Sequence, residues 1–317
     1  MLVGACGRVG RMVRQHWPAG RGLIATARRP SLAGPNLAGP NLGGPNLGGA
    51  GLLWAPLEGP TALLAHLDKT GQQPAALVML AGVTPAPGLD EAALHSGNTA
   101  IARACLAAAR AAGIGRVLLA SSSAVYGVDP QGRPFAETAP LAPLSPYGRA
   151  KQAMEAEADP FREAGMTVTA LRIGNVAGAD ALLFPLTEAM ARQGAPRPPI
   201  RLHGFADGQG PLRSYIGAQT MARVLAALTA HPAPLPPAPL PPAPLPDVLN
   251  LAAPCPVRMR ALAQAAGWPC EMVAAPPGAA HQTITLDCGR LAGLFPFGKD
   301  DSDPAAMVAQ WKATLPQ

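Results

Sequence analysis

Short apolar runs alternate with stretches of helical period along the first half of the chain. The runs fall at residues 1–3, 22–27, 52–54, 75–81, 116–120 and 166–172, each of strand length. Between them, helical patterning passes through Met12, Val13 and Trp17, then 61–67, then the alanine-rich stretch 91–112. The run 75–81 reads Ala-Ala-Leu-Val-Met-Leu-Ala with no polar interruption, as a parallel strand buried on both faces does. Strands that alternate with helices predict an α/β fold built on a doubly wound parallel sheet, with ligands at the carboxyl ends of the strands. Further on, the pattern predicts a helix over 221–229, a strand over 247–252, a helix over 259–266, and apolar segments at 283–287 and 291–297. These later elements form a smaller C-terminal portion.

Two tracts interrupt the pattern. Residues 33–49 repeat a Gly-Pro-Asn-Leu unit, and 232–246 repeat Pro-Ala-Pro-Leu-Pro. Glycine-proline punctuation with one apolar residue per unit makes neither a regular helix nor a packed strand, and the second tract favours extended polyproline backbone. Both read as loop expansions without chemistry.

Composition narrows the classes. The chain of 317 residues is 49% hydrophobic and 14% charged, enough for a sizeable core, and much of the excess in its 35 Gly and 38 Pro sits in the two tracts. The formal charge of +6 comes from scattered arginines, and aromatics are only 4%, so no basic stripe suited to nucleic acid is present. A phosphate-bearing small ligand suits that charge. Five cysteines, with no Cys-x-x-Cys pair, suggest neither a metal site nor a disulfide framework. They read as reduced thiols, and with no apolar run long enough for a bilayer the expected location is the cytoplasm, with no membrane partner.

The first apolar run leads into Gly4-Ala5-Cys6-Gly7-Arg8-Val9-Gly10 and then a helical pattern. Strand, glycine turn and helix is the context of a dinucleotide fingerprint: the glycines let backbone approach a pyrophosphate, and the helix start offers N–H groups. The spacing here is Gly-x-x-Gly-x-x-Gly, a variant. A cofactor lacking a 2′-phosphate usually meets an acidic residue after the second strand. That position is Ala27, followed by Arg28 and Arg29, which favours NADP over NAD, with Arg8 assisting.

Tyr147 and Lys151 lie four apart at the start of a helix-favouring run, so both side chains share a face. A tyrosine titrates near 10 and becomes a useful base at neutral pH only beside a cation, which Lys151 can supply. Alone, the Tyr-x-x-x-Lys pattern is short enough to arise by chance.

Taken together, several motifs in order remove that ambiguity. They are Gly4/Gly7/Gly10, the strand end Leu80-Ala81-Gly82, Asn98, Ser-Ser-Ser-Ala-Val-Tyr-Gly at 121–127, Ser-Pro-Tyr-Gly-Arg-Ala-Lys at 145–151 and Leu-Arg-Ile-Gly-Asn-Val-Ala-Gly at 171–178. In these the chain resembles the extended short-chain dehydrogenase/reductase family, the NAD(P)-dependent epimerases and dehydratases. The resemblance implies a Rossmann-type sheet domain over 1–171 with 214–230 returning to it, and a substrate-binding portion over 172–213 and 231–317. It implies Ser122, Tyr147 and Lys151 as the catalytic group, Lys151 also holding the cofactor, and Gly4, Gly7, Arg8, Val9, Gly10, Arg28, Arg29, Leu80, Ala81, Gly82 and Asn98 around the dinucleotide.

Ser123, Asn175 and Arg213 are implied substrate contacts, Arg213 on a nucleotide diphosphate. The acidic residues usual after that segment are replaced by Gln219 and Thr220. The expected substrate is a sugar, in particular a nucleotide sugar, and a homodimer is left open. An NADPH-dependent carbonyl reductase is the alternative activity, with a dinucleotide-sensing protein that has lost turnover as the third reading.

Overall fold

The computed structural model describes residues 1–28, 51–191, 197–231, 244–275 and 281–315. Arg29, the Gly-Pro-Asn-Leu repeats and most of the Pro-Ala-Pro-Leu-Pro tract lie outside the described residues. The chain divides into two compact units, one of residues 1–125, 143–172 and 222–249 and the other of 126–142, 173–221 and 250–317. Relative to the division expected from sequence, 126–142 and 214–221 group with the second unit, and 172 and 244–249 with the first.

In the first unit the order is β1 (Leu2–Val3), α1 (Arg8–Gln15), β2 (Thr26–Ala27), β3 (Leu52–Leu53), α2 (Thr61–Thr70), β4 (Leu77–Met79), α3 (Glu91–Ala111), β5 (Arg116–Ser122), α4 (Pro146–Ala156), α5 (Asp159–Glu163) and β6 (Thr167–Ile173). A five-stranded sheet runs β1-β4-β5-β6-β11, where β11 is Val248–Leu251. Pairing of β1 with β4, β4 with β5 and β2 with β3 is parallel. A bridge from Leu2 to Ala25 carries β2 and β3 onto the β1 edge. Leu63, Leu77, Met79, Leu106, Val117, Leu119 and Met154 are fully buried around this sheet, so the uninterrupted apolar runs are strands covered on both faces.

Arg116 opens β5 and ends buried without a carboxylate among the partners of its Nη1. That nitrogen donates to the carbonyl oxygens of Leu228, Thr229 and His231 at 3.5, 3.1 and 2.6 Å. Leu228 and Thr229 close the helix Ala218–Thr229 and His231 lies just beyond it, so the guanidinium sits at the negative end of that helix.

The second unit holds β7 (Asn175–Val176), α6 (Thr187–Ala191), β8 (Ile200–Gly204), β9 (Leu212–Arg213), β10 (Tyr215–Ile216), α7 (Ala218–Thr229, which crosses between the units), β12 (Val257–Arg258), α8 (Met259–Ala265), β13 (Cys270–Ala274), β14 (Thr283–Ile284), α9 (Gly289–Leu294) and α10 (Pro304–Lys312). Its sheets are small: β10-β7, β12-β9-β14 and β13-β8. Gln219 and Thr220, which stand where the family pattern has acids, open α7 without a side-chain acid of their own. Gln310 of α10 serves instead, its Oε1 accepting from the N–H groups of Gln219 and Thr220 at 3.0 and 3.2 Å. Thr220 Oγ1 in turn donates to Asp301 at 2.6 Å.

Trp311 of α10 is fully buried against Gly178, whose φ is +91°, and a Cβ at Gly178 would overlap the indole ring. Gly178→Ala combines left-handed backbone, costing about 1–2 kcal/mol, with overpacking of about 1–3 kcal/mol. The expected result is a loss of about 2–4 kcal/mol in denaturant unfolding followed by tryptophan fluorescence. An unchanged midpoint would show that the turn relaxes away from Trp311.

Candidate active site

The glycine turn is shaped by close approach of backbone to backbone. Gly4 has φ +87°, and a Cβ there would lie 2.5 Å from Ala81 N and 2.8 Å from Ala81 Cα, so the turn rests on the Leu80-Ala81 end of β4. A Cβ on Gly10 would overlap the Gly4 carbonyl, which also accepts from Gly7 N at 2.9 Å. The loop therefore feeds directly into α1, whose N-cap is Gly7. No side chain caps that helix and its first turn carries no acid, which suits an anion. Arg8 is exposed and Val9 half-buried at this end of α1, and Arg28 is exposed just past β2.

The next strand end is organised by Asn98. It is fully buried on α3, its amide donating to Val83 O at 3.0 Å and Leu94 O at 2.8 Å while its Oδ1 accepts from Val83 N at 3.2 Å. This fixes the loop after β4 around Gly82. A Cβ on Gly82 would stand 3.0 Å from Asn98 Oδ1 and 3.1 Å from Lys151 Nζ, so both polar side chains close on a position that has little room for a side chain.

Helix α4 begins with Ser145 as N-cap, its Oγ accepting from Gly148 N at 3.1 Å, followed by Pro146 in the first turn. Gly148 has no room for a side chain: a Cβ would overlap the Ala124 carbonyl in the turn Ser123–Val125 after β5. That contact seats α4 on the carboxyl end of β5. Ion pairs of Arg149 with Glu91 and of Arg103 with Glu157 tie α4 and its exit to α3.

Seated in this way, α4 delivers Tyr147 and Lys151 to the Ser122 end of β5. The Ser122 hydroxyl is hydrogen-bonded to Tyr147, while its Oγ also accepts from Ala124 N at 3.2 Å. Burial pushes the Tyr147 phenol above its ordinary value, and the Ser122 hydrogen bond opposes that. Lys151 is 4% exposed; Nζ donates to Ala120 O at 2.8 Å, lies 3.6 Å from Met154 Sδ, and sits 5.8 Å from the centre of the Tyr147 ring. Burial lowers Lys151 to about 8, opposed by the charge of Glu155. The lysine thus acts on the tyrosine across the ring face, and the direct contact on the phenol is Ser122.

Ser122, Tyr147, Lys151, Gly82 and Asn98 therefore converge in the first unit, beside the Gly4–Gly10 turn and the Leu80-Ala81 strand end. Ser123 is half-buried in the turn after β5. Asn175 and Arg213 belong to the second unit. Asn175 N donates to Ser214 O at 2.8 Å, and the Arg213 guanidinium is spent on backbone carbonyls, with Leu212 O and Gln282 O each at 2.8 Å and His281 O at 2.7 Å. Glu155 is a residue that sequence reasoning took only as a helix former. Its place four residues beyond Lys151 was the available signal, because that spacing puts it on the same helix face. A cavity of about 610 Å³ in the same unit, lined in part by Met1, Trp17, Ile24 and Pro74, opens at the amino ends of the strands, away from these groups. Among the described residues no cluster of three or more metal-ligating side chains occurs, and no helix is long and apolar enough to cross a membrane.

A glycine turn on the first strand of a parallel sheet, with a Ser/Tyr/Lys group at the end of a later strand, defines a Rossmann-fold protein of the dehydrogenase/reductase type. Residues 1–239 match the model of the NAD dependent epimerase/dehydratase family, and the chain belongs to that family. It is similar to a UDP-glucose 4-epimerase of Azospirillum brasilense, 40% identical over 90 residues, and to one of Rhizobium leguminosarum bv. trifolii, 35% identical over 133 residues. These matches cover 27% and 40% of this chain and only 25% and 40% of those relatives. In three dimensions it is similar to a UDP-glucose-4-epimerase of Stenotrophomonas maltophila solved with NAD and formylated UDP-arabinopyranose, with TM-score 0.72 at 19% identity, covering 98% of this chain and 97% of that one.

The lowered Lys151 value sets a stability prediction. Between about 8, the folded value, and 10.5, the ordinary one, the unfolded chain binds more protons than the folded, so this residue makes stability rise with pH through that window. Cys105 and Cys288, both raised to about 12 by burial, oppose it above 9. Comparing Lys151→Met with the parent cancels those thiols. The variant's relative stability should fall by on the order of 3 kcal/mol as pH rises through the window, measured by urea unfolding at fixed pH steps. A difference independent of pH would mean that Lys151 titrates at its ordinary value.

Proposed function

We propose that the chain binds a nicotinamide dinucleotide and uses Tyr147 as acid/base on a sugar, in particular a nucleotide sugar, as an epimerase or dehydratase does. The observation that carries this reading is the convergence of Ser122, Tyr147 and Lys151 beside the strand end at Gly82, which Asn98 and Lys151 approach closely. The residues present suit the cofactor. The uncapped α1 start with Gly7, Arg8, Val9 and Gly10 would take the pyrophosphate, Gly4 and the Leu80-Ala81-Gly82 edge give backbone access, and Asn98 holds that edge in shape. When bound, the dinucleotide supplies an acceptor and donor of hydride.

The side chains supply the rest. Ser122 hydrogen-bonds the reacting oxygen and steers it to the phenol. Tyr147 takes the proton from an alcohol or returns it to a carbonyl oxygen. Lys151, cationic beside the ring and close to Gly82, favours the phenolate when the proton leaves and would hold the cofactor. Ser123, Asn175 and Arg213 are the proposed substrate contacts, Arg213 reaching a diphosphate only by releasing some of its carbonyl partners. The family match and the curated relatives named as UDP-glucose 4-epimerases support a nucleotide-sugar substrate.

A second reading, an NADPH-dependent carbonyl reductase, is favoured by one observation: an exposed arginine, Arg28, stands just past β2 where an acidic residue would select NAD. The two differ in cofactor traffic, since an epimerase regenerates its dinucleotide and a reductase consumes it.

Tyr147→Phe keeps the ring and deletes the proton. Turnover should fall by about 10²–10⁴-fold, the usual contribution of a general acid/base, with dinucleotide retention unchanged. Native mass spectrometry of the purified parent and variant measures dinucleotide retention, and chromatographic separation of the products after sugar-nucleotide addition measures turnover. Retained turnover in the variant rejects Tyr147 as the acid/base, and a parent that binds neither NAD(H) nor NADP(H) rejects the whole reading.

Arg28→Ala addresses the cofactor. It should weaken NADP(H) binding at least about tenfold while leaving NAD(H) within about twofold, as loss of a phosphate-pairing charge predicts. Equal effects on both, in side-by-side titrations, would remove Arg28 from the 2′-phosphate site.

A further inference from the structure

Ala120, Ser121 and Ser122 are consecutive at the carboxyl end of β5, and each is fastened to a different turn of α4. The Ala120 carbonyl accepts from Lys151 Nζ, the Ser121 hydroxyl donates to Glu155 Oε1, and Ser122 is hydrogen-bonded to Tyr147. Residues 147, 151 and 155 are spaced four apart, so one helix face is pinned to one strand end at three successive levels. The acid/base chemistry uses two of these levels. The third, Glu155, has no part in it.

Glu155 is nevertheless 8% exposed and richly partnered. Arg172 of β6 reaches it with Nη2 at 2.7 Å from Oε2 and with Nε at 3.1 and 3.2 Å from the two oxygens, a bidentate pairing completed by Ser121. Packing alone does not explain an ion pair at this place, since apolar residues of similar volume often serve an interior as well or better. Its charge has an evident target. The charged and titratable groups facing Lys151 are Tyr147 and Glu155 on its own helix and, through Glu155, Arg172 on β6. β5 offers hydroxyls and a carbonyl, and α3 offers the Asn98 amide. Of these, the Glu155 charge is what opposes the effect of burial on Lys151.

We propose that Glu155, clasped by Arg172 and Ser121, is a positioning residue that holds α4 in register on β5 and keeps Lys151 cationic beside Tyr147. Its value to catalysis rests on the reading of Tyr147 and Lys151 given above, whereas its effect on Lys151 does not.

The test is a pH titration of the full chain labelled with ¹³C-lysine. There are four lysines, Lys69, Lys151, Lys299 and Lys312, and the Lys151 signal is assigned by its loss in Lys151→Met. In the parent it should titrate below the ordinary lysine value, at about 8, because of burial. Glu155→Gln keeps the shape and removes the charge, and should lower the Lys151 midpoint by about one unit or more, a tenfold loss of proton affinity. Arg172→Met frees the carboxylate from its partner and should raise it. A midpoint unchanged in folded Glu155→Gln overturns the proposal.

Should that variant fail to fold, Arg172→Met is read alone: a raised midpoint supports the clasp, and an unchanged or lowered one overturns it. The outcome separates from the functional reading. A shifted Lys151 midpoint in a chain that binds no dinucleotide supports the clasp and rejects only the proposed activity.

Discussion

The contact on which the candidate site depends is the seating of α4 on the end of β5, at a place where a side chain has been dispensed with. Gly148 lets the first turn of the helix press against the Ala124 carbonyl, with no room for a Cβ. Everything downstream is a matter of helical geometry. Once that turn is fixed, residues 147 and 151 face the strand end by the 3.6-residue period, and Lys151 finds the Ala120 carbonyl at 2.8 Å. A side chain at 148 would lift the helix and separate Tyr147 from Ser122.

Burying Lys151 there is costly, and the way the cost is limited shapes its chemistry. One carbonyl and a thioether sulfur satisfy the ammonium only in part, so its proton is held loosely compared with a solvated lysine. A Cβ at Gly82 would stand 3.1 Å from Nζ, so the lysine closes on a position where only a glycine fits without displacement.

Much of this was legible beforehand, for definite reasons. Strands buried on both faces are uninterrupted apolar runs, so the segments around 75–81, 116–120 and 166–172 declared themselves, although β4 contracts to Leu77–Met79 and β2 to Thr26–Ala27. The Ser145 cap, the Pro146 start and the Tyr147/Lys151 spacing are local features, and local features are what a sequence displays. Contacts between distant segments are not. Glu155 looked like an ordinary helix former because Arg172 lies 17 residues away and Ser121 lies 34 residues away. Arg213 looked free because its carbonyl partners at 281 and 282 come from far along the chain.

The replacement of acids at 219 and 220 follows the same logic and bears on what such departures mean. An acid at the start of a helix has an electrostatic use whatever else it does, because it satisfies N–H groups and complements the positive end. In this chain both uses of the helix start are met from α10 and the turn before it: Gln310 accepts from the two N–H groups, and Thr220 is engaged with Asp301. The departure from the family pattern is therefore explained by capping within the second unit, with negative charge relocated to Asp301.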